Sequence, residues 1–95
     1  MLHGFDQVRA RLGIVNEKGL HARASARMVE LVESFDARAE VSRDGMSVSG
    51  DSIMGLLMLA AAKGTSIDVK ATGPEAGPMM DALDALIADR FGEEV

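Results

Sequence analysis

The sequence predicts an α+β domain in which one β-sheet is covered on one face by helices, with elements in the order β-α-β-β-α-β-α. Three observations carry this. The chain has 95 residues, enough for one small domain, and 47% of them are hydrophobic, enough to build a core. Stretches with apolar residues at every second position alternate with stretches stepping by three or four, the two periods of strand and helix. Turn-forming pairs such as Asp44-Gly45, Lys63-Gly64, Gly73-Pro74 and Gly77-Pro78 fall between the periodic stretches.

The first strand is read over Val8 to Ile14, where Val8, Ala10, Leu12 and Ile14 alternate with Arg9, Arg11 and Gly13. After the turn Asn16-Glu17-Lys18-Gly19, a helix is expected from Ala22 to Phe35, its inner face formed by Ala22, Ala26, Val29 and Val32. Ala37, Ala39 and Val41 make the second strand. Asp44-Gly45 is a hairpin signal, and Met46 to Gly50 with Val48 inward is the antiparallel third strand. Asp51 or Ser52 caps a short helix running to about Ala62 and ended by Lys63-Gly64. Ile67, Val69 and Ala71 face inward from the fourth strand. Met80, Leu83, Ile87 and Phe91 define the last helix, after which Gly92-Glu93-Glu94-Val95 is expected to fray. Residues 1–95 read as a single domain, with 1–5 a flexible extension.

Composition excludes several functions. Fifteen acidic residues against ten basic ones give a net charge of -5, which opposes neutralisation of nucleic-acid phosphates. There is no cysteine, hence no disulfide or thiol chemistry. No basic-flanked apolar run suits secretion or a membrane span, so a cytoplasmic protein without membrane association is expected. With three aromatic residues, all Phe, the core is expected to be aliphatic. Cys/His clusters, paired metal-binding histidines and Gly-rich phosphate loops are absent from the sequence, so neither metal nor cofactor is expected.

Of the two histidines, His3 lies in the N-terminal extension, whereas His21 stands where a loop meets a helix, in Gly19-Leu20-His21-Ala22-Arg23. The unpaired amides of a first helical turn and the positive end of the helix dipole hold anions. A phosphoryl group on one ring nitrogen of His21 would meet the backbone N–H groups of Ala22 and Arg23 and the Arg23 guanidinium. The plain alternative is a histidine serving only as a cap or surface residue, and an arginine that is merely solvated. Against it, a cation in a first helical turn is unfavourable unless an anion accompanies it.

Gly19-Leu20-His21-Ala22-Arg23-Ala24-Ser25 resembles the active-site motif of the HPr proteins of the bacterial phosphotransferase system. Asp51-Ser52-Ile53-Met54-Gly55-Leu56-Leu57-Met58-Leu59, Lys63-Gly64 and Ala71-Thr72-Gly73-Pro74 resemble the second half of that family, particularly its nitrogen-related, NPr-like branch. The resemblance implies an open-faced β-sandwich of four antiparallel strands with three helices on one face. It implies that His21 becomes a pros-phosphohistidine, with Arg23 beside it, taking phosphate from enzyme I and giving it to a IIA-type protein. The protein would be a relay without turnover of its own. The family commonly has proline after the motif arginine, where this chain has Ala24, so the stiffness proline gives a first turn is missing.

The short second helix holds more apolar residues than one core-facing side can absorb. Leu56 and Leu59 are expected inside, and flexible Met54 and Met58 suit a surface that adapts to several partners. By resemblance, Ala26, Arg27, Ile53, Met54 and Leu57 form the surface that receives donor and acceptor in turn, which favours a monomer. Ser52 resembles the serine modified by HPr kinase/phosphorylase in some bacteria, and it also reads as an ordinary helix cap. A ligand-sensing module of the ACT or ferredoxin-like kind shares the β-α-β-β-α-β order and is the competing reading. The histidine junction at the first helix distinguishes the two.

Overall fold

The computed structural model describes residues 7–95, so the flexible extension expected over residues 1–5, with His3, lies outside the described residues. The elements are β1 (Gln7–Gly13), α1 (Ala22–Glu33), β2 (Arg38–Arg43), β3 (Met46–Ser49), α2 (Ile53–Met58), β4 (Ser66–Thr72) and α3 (Ala76–Ala88), followed by a 3-10 turn at Arg90–Gly92. The four strands form one antiparallel sheet in the order β1-β4-β2-β3.

Register explains why one face is covered. Ala10 pairs with Val69, Val69 with Val41, and Val41 with Val48, so one apolar rung crosses all four strands. Side chains one position along point to the opposite face. There Arg11 meets Asp68 at 3.0 Å, both exposed, and Lys70, half-buried, meets the exposed Glu40 at 3.5 Å. Such pairs add little stability but keep the open face polar. On the covered face, α3 packs against β1 and β4, α2 against β3 and α1, and α1 against α2 and α3. Asp44 and Gly45 both take positive φ, as a two-residue hairpin between Arg43 and its partner Met46 requires.

The fold agrees with the expected α+β architecture, and the element order, the inward positions of β4 and the burial of Leu56 and Leu59 all hold. Several local details differ. The buried face of α1 is Ala24, Ser25, Met28, Val29 and Val32, with Ala22 exposed and Ala26 half-buried. The second helix ends at Met58, well before Ala62. Ala60 is left-handed at φ 51, the Leu59 carbonyl accepts from the Arg43 guanidinium at 3.0 Å, and the Ala61 carbonyl accepts from Leu20 N–H at 2.9 Å. That last bond draws the segment onto the β1-α1 loop and out of helical geometry.

The third helix starts at Ala76, so Pro78 falls inside its first turn, where a missing N–H costs nothing. Phe91 does not continue that helix. Arg90 and Phe91 both have φ 55, yet the Phe91 side chain is fully buried, so the core is not wholly aliphatic. Burying the ring contributes about 2–3 kcal/mol, and left-handed backbone costs about 1–2 kcal/mol per residue. The bend is thus close to neutral by itself, and what lies beyond it tips the balance. The tail does not fray: Glu17 N–H donates to Val95 O at 3.1 Å, and Glu93 is held by side-chain bonds.

Candidate functional site

The loop ahead of α1 is fixed by backbone geometry at Gly19. Its N–H donates to Asn16 O at 3.2 Å and its φ is +64. A Cβ there would lie 2.5 Å from Ala61 O, so both conformation and space exclude any other residue. Leu20, 4% exposed, anchors the loop in the core and bonds to Ala61. His21 follows with extended backbone, φ -79 and ψ -174, and its carbonyl accepts Ser25 N–H at 2.8 Å to open the helix. Ser25, itself buried, donates its hydroxyl to Leu20 O at 3.2 Å.

The His21 ring is held on both sides. Nδ1 accepts from Arg23 N–H at 3.3 Å, so the imidazole itself caps α1. Nε2 faces Glu93 Oε2 in a close hydrogen bond. Glu93 Oε1 accepts from Asn16 Nδ2 at 3.0 Å, and the same amide donates to Gly19 O at 2.8 Å. Asn16 is fully buried, and its Oδ1 finds no partner among the described residues. Burial pushes the Glu93 carboxyl up, but hydrogen bonds from Asn16 and His21, with electrostatic attraction from the His21 ring and Lys18, outweigh it and hold the group below the usual carboxylate range. Glu93 is therefore an anion across the neutral pH range.

A shallow cleft of about 560 Å³ opens beside the ring, lined among others by Lys18, Ala22, Arg23, Glu93 and Glu94. Ala22 and Arg23 are exposed in the first turn of α1, where backbone N–H groups lack intrahelical partners. Among the described residues Arg23 forms no ion pair. The arrangement offers a ring nitrogen with a lone pair, first-turn amides and a guanidinium at one spot, which suits transient attachment of an anionic group. A larger concavity of about 770 Å³ borders β2, β3 and β4 between the opposed charges Arg38, Glu40, Asp51 and Lys70, and His21 is not part of it.

The family model described as "PTS HPr component phosphorylation site" matches residues 8–89. The chain belongs to the HPr family. The phosphocarrier protein HPr of Cupriavidus necator is 49% identical over 80 residues, covering 84% of this chain and 90% of that one. The phosphocarrier protein NPr of Escherichia coli is 38% identical over 88 residues, covering 92% and 98%. The crystal structure of HPr-C-His from Thermoanaerobacter tengcongensis superposes with a TM-score of 0.88 at 33% identity, covering 93% and 99%. Membership makes the chain a phosphocarrier of the phosphotransferase system, and the ligand-sensing reading gives way to it.

As an HPr domain, the chain brings His21, Arg23 and the Ala22 and Arg23 amides together. Ser52 caps α2, its Oγ accepting Gly55 N–H at 3.0 Å, and it is half-buried. Ile53, Met54 and Met58 are 40%, 70% and 63% exposed, Leu57 is half-buried, and α2 packs on α1, which carries Ala26 and Arg27. The Arg27 guanidinium lies over Gly92. Sequence reasoning missed Asn16, Lys18 and Glu93 as site residues. A signal for Glu93 was present: the apolar Phe91 continues the helical spacing, and a core anchor there confines its neighbours.

Proposed function

We propose that His21 takes a phosphoryl group on Nδ1, the pros nitrogen, from phosphorylated enzyme I and passes it to a IIA-type protein, as a single cytoplasmic domain acting as a monomer. The observation that carries this reading is the His21 ring at the N-terminus of α1, with Nδ1 directed at the Arg23 N–H. Once phosphorus occupies that nitrogen, its oxygens replace the lone pair as acceptors for the first-turn amides, and Arg23 supplies a cation. Little beyond position and charge is needed for phosphoryl transfer.

The exposed Ile53 and Met54, with Leu57, Ala26 and Arg27, receive donor and acceptor by turns. The α2 segment's likeness to the nitrogen-related branch supports a regulatory system over sugar uptake, and the relatives include both HPr and NPr proteins. Ser52 is assigned as the acceptor for an HPr kinase/phosphorylase. Its place beside Ile53 and Met54 would put a charge of roughly -1.5 to -2 on the docking surface.

The test is incubation of the wild-type chain and His21→Ala with phosphoenolpyruvate and enzyme I, followed by intact mass. An acid-labile gain of one phosphoryl group in wild type alone is expected. No gain in wild type, with enzyme I active on a known carrier, overturns the proposal.

A further inference from the structure

We infer that Glu93 is a positioning residue for His21: braced by buried Asn16, its carboxylate keeps the ring proton on Nε2, leaves the lone pair on Nδ1, and balances the charge the ring acquires on phosphorylation. The first part stands on geometry alone. The second rests on the carrier reading of His21.

Three features support it. The carboxylate is partly enclosed, with 12% of its side chain exposed, so its attraction for the ring is screened less than that of a fully exposed pair. Both of its oxygens are engaged, one by Asn16 and one by His21, so it cannot swing away without leaving an Asn16 N–H without its acceptor. Asn16 is held in turn by Gly19 O, which lies in the loop that places His21. A carboxylate accepting one imidazole N–H fixes which nitrogen carries the proton. A frayed tail would do none of this, and the bend at Arg90 and Phe91 is what delivers Glu93 to the ring.

The Nδ1 lone pair forms the bond to phosphorus while the bond from phosphorus to the donor's leaving atom breaks, and that electron pair departs with the donor. The His21 proton stays on Nε2, so the ring carries one positive charge spread over both nitrogens. Glu93 faces that charge from the side away from the phosphoryl group. In onward transfer the nitrogen–phosphorus bond breaks with its pair returning to Nδ1, and neutral imidazole is the leaving group because the Nε2 proton was never lost. Lys18, Arg23 and Glu94 are the other charged groups lining the cleft, and they remain in every variant proposed.

The experiment compares wild type, Glu93→Gln and Glu93→Ala as full chains. Nitrogen-15 spectra of the unphosphorylated His21 ring at high pH report the tautomer, and steady-state transfer from phosphorylated enzyme I separates kcat from KM. Wild type is expected to show a protonated Nε2 and a bare Nδ1. Glu93→Ala mixes the tautomers and lowers kcat about tenfold with KM unchanged, the scale of one lost charge-assisted hydrogen bond. Glu93→Gln, which offers one acceptor oxygen to two donors and no charge, also lowers kcat. Backbone amide spectra matching wild type exclude unfolding as the cause. An unchanged tautomer in Glu93→Ala, a kcat within twofold of wild type, or faster transfer overturns the assignment. If wild type takes no phosphoryl group, the carrier reading falls, and the tautomer alone decides whether Glu93 positions the ring.

Discussion

The N-termini of α1 and α2 begin alike and differ in what surrounds them. Each is capped by a side chain that accepts a backbone N–H of its own first turn, His21 from Arg23 at 3.3 Å and Ser52 from Gly55 at 3.0 Å. Around His21 stand Lys18 and Arg23, a 12-residue helix and a carboxylate bonded to the far side of the ring. Around Ser52 stand the exposed Asp51, whose carboxylate accepts from Ser49 at 2.6 Å, a helix of six residues, and exposed Ile53 and Met54. The cap is common to both. Cations and a long dipole suit the first to an anion, whereas apolar side chains suit the second to contact with another protein.

The largest blow to this contrast is Gly19→Ala. Positive φ and the 2.5 Å approach to Ala61 O would have to be relieved together, which is expected to cost about 2–4 kcal/mol of folding stability. Denaturant titration checks it. The same change at the α2 start has no counterpart, so a stability within 0.5 kcal/mol of wild type, about the scale of an ordinary surface substitution, would mean that the His21 end is not built by that loop.

Met54→Glu sharpens the contrast from the other side. An acidic residue in a first helical turn suits the dipole, so melting should be unchanged. Transfer from enzyme I and to the IIA partner should nevertheless slow about tenfold, because a charge now sits in the apolar contact. Rates equal to wild type in both directions would remove α2 from the docking surface.

Ser52→Ala is the mildest. Loss of the cap should cost about 1 kcal/mol, measured by thermal melting, with phosphorylation of His21 intact. Labelling by an HPr kinase with ATP should disappear in the variant. A wild-type chain that the kinase leaves unlabelled would reduce Ser52 to a cap and nothing more.

Much of this contrast can be read from the residues. Alternation in β1, β2 and β4 and the helical steps of Met80, Leu83 and Ile87 are local patterns, and local patterns survive folding because each is satisfied by its own element. The start of α1 at His21 was legible because the turn, the histidine and the first helical residues are consecutive in sequence. What escaped depends on distant segments. The early end of α2 comes from Leu20 and Arg43 reaching across to residues 59–61. The face of α1 shifted because Ser25 turns inward to bond Leu20 O, which hydrophobicity alone does not report. Glu93 and Asn16 are 77 positions apart, and polar tail residues look alike whether bound or free.

That separation has a kinetic side. The two bonds that orient the His21 ring from behind join residues 72 and 77 positions apart, among the longest closures this chain can make. Contacts of such span form late, since the loop entropy must be met before the contact gives anything back. A folding chain can therefore assemble α1 and expose its histidine long before the ring is aimed. Competence to carry a phosphoryl group would then arrive with the final closure of the fold and not in proportion to the secondary structure already formed.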